Sequence, residues 1–264
     1  LAVIITLSAG VYQRLTGPTY PLKGKVIING QEIDYKFNRS HSGKTNQPVR
    51  LECPDSTYQA ELRYTFFKAN KSWESSLMKW EEGQFTAELP NQPPAGKLEY
   101  YIVLSKQSRK HTVPSDRTVV TRFKGDVPAG VLIPHVLFMF LAMLLSNLSA
   151  LEALAESKQL KLYTILTVVL LFIGGMILGP IVQRYAFGAL WTGIPFGYDL
   201  TDNKTLLAMI GWLFALVQIL RKKNGQSRWW VIAAALILLL IYSIPHSMLG
   251  SELDYKTMQV RTGQ

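Results

Sequence analysis

Hydrophobic and polar positions divide this chain into two regimes. From about residue 12 to 125 they alternate, with charges throughout. From 127 to 248 long apolar runs are broken only by short polar loops. Alternation with a period of two predicts half-buried strands. The segments AELRYTFF (60–67), QFTAELP (84–90) and KLEYYIVLS (97–105) fit that pattern, and Asn29-Gly30 inside GKVIINGQEIDYKF marks a hairpin turn. The apolar half predicts four membrane spans: Val127–Leu148 (with Pro134 as an alternative start), Leu160–Ile181, Thr205–Leu220 and Trp229–Ser247. Residues 1–11 are apolar but shorter than the ~20 needed to span. They read as the end of an N-terminal transmembrane anchor, with a signal-peptide remnant as the competing reading.

The expected fold class is a membrane protein: an α-helical transmembrane bundle of four spans plus a partial anchor, carrying an inserted all-β extracytoplasmic domain. The expected domains are 1–14 (anchor), 19–124 (β-sandwich), 127–248 (four-helix transmembrane domain) and 249–264 (extracytoplasmic tail). Composition agrees: hydrophobic residues are 48% and charged residues 17% of the 264, against about 25% charged in soluble domains. The stretch Tyr64–Leu104, with Trp73, Met78, Trp80, Gly83, Phe85, Pro90, Pro93, Gly96 and Tyr100-Tyr101, resembles immunoglobulin-like or fibronectin-like modules of bacterial cell-surface proteins. That resemblance implies a sandwich and no particular activity. Trp73 and Trp80 read as core or edge packing ahead of a sugar platform, and His41 and His111 as solvated.

The net charge of +10 is spread along the chain rather than gathered in a stripe, so no nucleic-acid partner is expected. One cysteine, Cys53, excludes an intramolecular disulfide, a zinc-cysteine site and c-type haem attachment. The loop 221–228 has four basic and no acidic residues, which places it in the cytoplasm. Parity then puts the β domain, the loop 182–204 and the tail outside, on a bacterial inner membrane.

Histidine in the membrane half occurs twice, in matching triplets: Ile133-Pro134-His135 and Ile244-Pro245-His246. At one depth on separate helices, two neutral imidazoles could ligate one metal or haem iron; interfacial capping is the bland reading. Asp199, Asp202, Glu252 and Asp254 would suit zinc, iron or copper if they joined them, or would be loop and cap residues, with Asp202 or Thr201 as N-cap. Methionines 139, 143, 176, 209 and 248 read as lipid-facing or core. The loop between the second and third spans is rich in aromatic residues and glycine, which suits a planar ligand. Arg184 and Lys204 could pair with its carboxylates, while an interfacial aromatic belt is the alternative.

That loop resembles the tryptophan-rich signature W-G-x-x-W-x-W-D-x-x-E of the haem-handling membrane proteins of cytochrome c maturation. Phe187 stands at the first Trp, Gly188 at the Gly and Trp191 at the second Trp; Tyr198-Asp199 stand at the W-D pair and Asp202 at the final acid. One Trp of three is retained, and six residues separate Trp191 from Tyr198 where the signature has one. The resemblance implies an outward loop flanked by two histidines that bind haem b. The functional expectation is therefore a bis-histidine haem b protein, with His135 and His246 as ligands. Trp191, Phe196 and Tyr198 would line the ring and Arg184 would hold a propionate. It would act as an electron-transfer subunit of an oxidoreductase complex, beside other redox subunits, a c-type cytochrome or quinol. Haem handling in cytochrome c biogenesis and a non-catalytic scaffold docking a partner through the β domain are the alternatives.

Overall fold

The computed structural model describes residues 1–69, 71–221, 227–246, 248 and 250–261. The chain divides into two units, one β-rich (Thr19–Asp126 with Glu252–Arg261) and one helical (Leu1–Pro18 with Val127–Ser251).

The β unit begins with the hairpin of β1 (Leu22–Ile28) and β2 (Gln31–Phe37). Its turn is Asn29-Gly30, both at positive φ (52° and 81°), as a tight two-residue connection requires. The larger sheet runs β3 (Ser40–Ser42), β11 (Val119–Lys124), β9 (Lys97–Lys106), β5 (Gln59–Phe66) and β6 (Glu74–Leu77), with β10 (Arg109–Val113) also on β9. The smaller sheet runs β4 (Gln47–Glu52), β8 (Gln84–Leu89) and β7 (Lys79–Glu81). Alternation does the work expected of it. In β4, Val49 and Leu51 point inward; in β9, Leu98, Tyr100, Ile102 and Leu104 do. Together with Leu62, Phe85, Leu89 and Phe123 they form one core shared by both sheets, as face-to-face packing dictates. A polar pair sits inside it: buried Gln47 accepts from Thr121 Oγ1 (2.7 Å) and donates to the Asn38 carbonyl (3.0 Å).

Cys53 is buried. Trp73 packs edge-on against Tyr101, and Trp80 donates to the Cys53 carbonyl (3.1 Å), while both indoles stay partly exposed. The two histidines read as solvated are half-buried instead. His41 Nε2 lies 2.8 Å from the Thr45 carbonyl, while His111 Nε2 is shielded beside β9 without a hydrogen-bond partner among the described residues.

The tail is more than an appendage. Strands β12 (Glu252–Asp254) and β13 (Gln259–Arg261) form a hairpin. Leu253 N donates to the Ala95 carbonyl (3.0 Å), Tyr255 OH accepts from Lys97 N (2.9 Å), and Lys97 Nζ reaches Glu252 (2.6 Å). These pairings span about 150 residues of sequence, so local pattern carries no sign of them.

The helical unit contains α1 (Ala2–Thr16), α2 (Ala129–Leu154), α3 (Leu160–Leu171), a π-helical segment (Phe172–Leu178), α4 (Gly179–Phe187), α5 (Leu200–Arg221) and α6 (Arg228–Ser243). Among the described residues, three helices are long and apolar enough to cross a membrane: Ala129–Leu154, Leu160–Phe187 and Leu200–Arg221. Helix α2 begins at Ala129, just inside its expected start, runs past Leu148 to Leu154 and keeps Pro134 in its interior. The span expected to end at Ser247 stops as a helix at Ser243, leaving 16 residues. Ile244 is extended (φ −79°, ψ 119°), the conformation that a following proline, here Pro245, favours. Residues 222–226 of the basic loop lie outside the described residues.

Trp212, Ala208, Ala215, Val231, Ala234, Leu238 and Leu171 make the centre of this unit. Buried polar contacts stitch helices together: Asn147 donates to Thr6 Oγ1 (2.9 Å), joining α2 to α1.

Candidate functional site

The two singled-out histidines lie in the same unit, each directly after a proline. His135 follows Pro134 on α2 and is half-buried. The helix facing it widens into a π turn immediately before Pro180. Proline has no N–H and its ring collides with the carbonyl four residues back, here Met176, in α geometry; a wider turn relieves that clash. The widened turn leaves the Gly174 carbonyl accepting from both Gly179 N and His135 Nδ1, the latter at 2.9 Å. The contact requires a glycine. A Cβ on Gly174 would lie 2.9 Å from Met139 Sδ and 3.0 Å from Phe138 Cβ. With Nδ1–H donated to a carbonyl, the lone pair of the neutral ring stands on Nε2.

His246 follows the extended Ile244 and Pro245 and is exposed. Its Nδ1 lies 3.4 Å from the amide nitrogen of Gln13, which also donates to the Tyr242 carbonyl at 2.7 Å. The longer contact holds the ring only weakly. His135, Lys204 and Asp199 all lie near enough for their charges to act on the His246 ring.

The loop 188–199 folds into a compact knot on the start of α5. Asp199, expected to carry the W-D role, caps that helix: its Oδ1 accepts from Thr201 N (2.8 Å), and its Oδ2 from Ser251 N (3.0 Å) and Ser251 Oγ (3.1 Å). The N-cap is thus Asp199, not Asp202 or Thr201. Helix α5 starts five residues before the apolar run because Asp199 satisfies its first amides. Asp202, in the first turn, accepts from Thr192 N (2.6 Å) and Thr192 Oγ1 (3.2 Å), and Gln183 donates to the same hydroxyl (2.5 Å). Asn203 Oδ1 accepts from Ile194 N (2.8 Å). The chain passes so close here that a Cβ on Gly193 would lie 2.7 Å from Asn203 Oδ1 and from Asp202 Cβ.

The aromatic residues of the loop divide. Trp191 is half-buried and donates to the Ile194 carbonyl (3.0 Å). Phe196 and Tyr198 are 81% and 72% exposed. They offer an open surface rather than the wall of an enclosed pocket, and Arg184 is exposed on the last turn of α4.

Asp199, Asp202 and Lys204 read in the sequence as outer-loop and cap residues, yet each is 6% exposed. The clue lay in their spacing. Three charged residues within six positions ahead of an apolar helix are a set that buries together only if each finds a partner. The other acids do not join them. Glu252 and Asp254 belong to the β unit, held by Lys97, Lys68 and Arg261, and among the described residues no group of three His, Cys, Asp or Glu side chains could hold a metal ion. Of the methionines, Met143 and Met209 are core and Met248 is exposed. No protein-family model matches this sequence, and no curated protein matches it.

Proposed function

We propose that the protein is a haem-b-binding integral membrane protein that carries electrons as a subunit of a membrane redox complex, in which His135 and His246 would hold the haem iron. The observation that supports this most strongly is the fixed ring of His135. Its Nδ1 is committed to the Gly174 carbonyl at 2.9 Å, the arrangement that orients an imidazole and makes Nε2 the better ligand. The second imidazole, His246, makes one side-chain contact among the described residues, to Gln13 at 3.4 Å, and would be the other ligand. The donor set, two neutral imidazoles and no thiolate, suits haem b. When bound, haem supplies the one-electron chemistry.

The chain's own residues would do the rest. The π turn holds His135, Gln13 and the Ile244-Pro245 turn hold His246, and Trp191 and the exposed Phe196 and Tyr198 offer faces to the ring. The helix α6, and α1 as part of an anchor, would complete the membrane domain beside the three longer helices. Four basic residues in 221–228 support a cytoplasmic location for that end, which in a bacterial inner membrane would leave the histidines, β domain and tail outside. Quinol and a c-type cytochrome are the fitting electron partners there.

Haem handling during cytochrome c maturation is the second reading. The exposure of Phe196 and Tyr198 favours it, because an open shelf suits release. The optical spectrum of the purified, dithionite-reduced full chain tests both. A sharp reduced spectrum that His135→Ala and His246→Ala each abolish is expected. The absence of a Soret band overturns both readings. Haem that passes to an apocytochrome selects handling, and haem that stays bound and is reduced by quinol selects electron transfer.

A further inference from the structure

Lys204 lies one turn inside α5, yet is 6% exposed. Its ammonium carries three donors and gives one to the Ile244 carbonyl at 2.8 Å. Among the described residues that is its one hydrogen bond, and it forms no ion pair with a described carboxylate. The neighbouring acids give it no hydrogen bond: Asp199 acts on it through charge alone and accepts from Thr201 and Ser251, and Asp202 accepts from Thr192. A buried cation with spare donors is costly unless an anion comes to it. The amine is also well placed. Its acceptor stands two residues before His246, and its charge is felt at the His246 ring. Arg184, the other basic residue of this region, is exposed and needs no such partner.

We infer that Lys204, rather than Arg184, holds a carboxylate of the bound ring; this rests on the haem reading. Lys204 is the positioning residue that selects a dicarboxylate porphyrin and orients it between His135 and His246. The contact is a charge-assisted hydrogen bond and involves no bond making. A purely structural Lys204 would cap the carbonyl end of α6 and would be indifferent to the ligand's charge.

The test compares two probes on the purified full chain in detergent, iron protoporphyrin IX and its dimethyl ester, which keeps the iron and ring but lacks both carboxylates. Wild-type protein is expected to bind the diacid at least about tenfold more tightly than the ester. Lys204→Met is expected to bind the two alike, while Lys204→Arg and Arg184→Ala keep the preference. Equal binding of the two probes by wild-type protein overturns the inference without recourse to any variant, as does a full preference in Lys204→Met. Wild-type protein that binds neither probe overturns the haem reading beneath it.

Discussion

His135 and Gly174 are joined across two helices by a 2.9 Å hydrogen bond from the imidazole Nδ1 to a backbone carbonyl. The carbonyl is available because the helix carrying it relaxes into a π turn ahead of Pro180. A ring on one helix is thus oriented by a proline on another.

Substituting Gly174 with alanine should therefore be costly. The new methyl would lie within 3.0 Å of both Met139 and Phe138, so a packed interface must shift, at about 1–3 kcal/mol. Gly211 has open space at the corresponding position, and Gly211→Ala should leave the melting temperature in detergent unchanged or slightly raised. Equal melting temperatures for the two variants would show that the α2 contact is not tight.

The Asn147–Thr6 hydrogen bond should tie α1 to α2. Both groups are buried, so Thr6→Val leaves an amide donor without its partner. A loss of roughly 0.5–2 kcal/mol is expected. Thr6→Val combined with Asn147→Leu should cost less than the sum of the single changes. Strict additivity in a double-mutant cycle would show that the pair does not interact.

The β unit should lose stability in acid through Asp55. The Lys106 ammonium, 2.6 Å away, and then Thr57 hold this carboxyl down at about 2, against 3.8 for the free side chain. A group with a lowered folded value stabilises fully above its unfolded value, and that contribution disappears as pH falls from about 4 to about 2. Asp55→Asn should flatten the dependence of the β-sheet melting transition on pH within that window. An unchanged profile would assign acid sensitivity to other carboxylates.

Lys97 should fasten the 252–261 hairpin. Burial alone would raise the Glu252 carboxyl, but hydrogen bonds and charge from Lys97 and then Lys68 outweigh it and hold the group below its ordinary value. Lys97→Met should expose the hairpin amides to hydrogen exchange and leave those of β1 and β2 protected. Uniform protection in the variant would show that Tyr255 and Leu253 suffice.

Much of the fold is written in local pattern. Asn29-Gly30 specifies its hairpin, Leu98 to Leu104 announce a strand with a buried face, and the run after residue 127 announces membrane-length helices. What local pattern lacks is pairing over distance. Glu252 and Tyr255 look like tail residues until Lys97 is beside them. Asp199, Asp202 and Lys204 look solvated until the knot of Thr192, Asn203 and Ser251 shields them. The histidine pair was legible as two matching triplets, but the device that orients His135, a carbonyl released by a π turn, depends on a proline in another helix and has no signature at His135 itself. The aromatic loop shows the reverse. Its composition suggests a shelf for a planar ligand, and Phe196 and Tyr198 are exposed there while polar side chains fill the inward-facing positions.

Near-infrared magnetic circular dichroism of the oxidised, haem-loaded full chain tests the axial ligands most directly, because the charge-transfer band of low-spin ferric haem reports ligand identity. A bis-imidazole band that is lost in both His135→Ala and His246→Ala is expected. A chain that takes up no haem, or one whose band persists in either variant, would contradict this expectation.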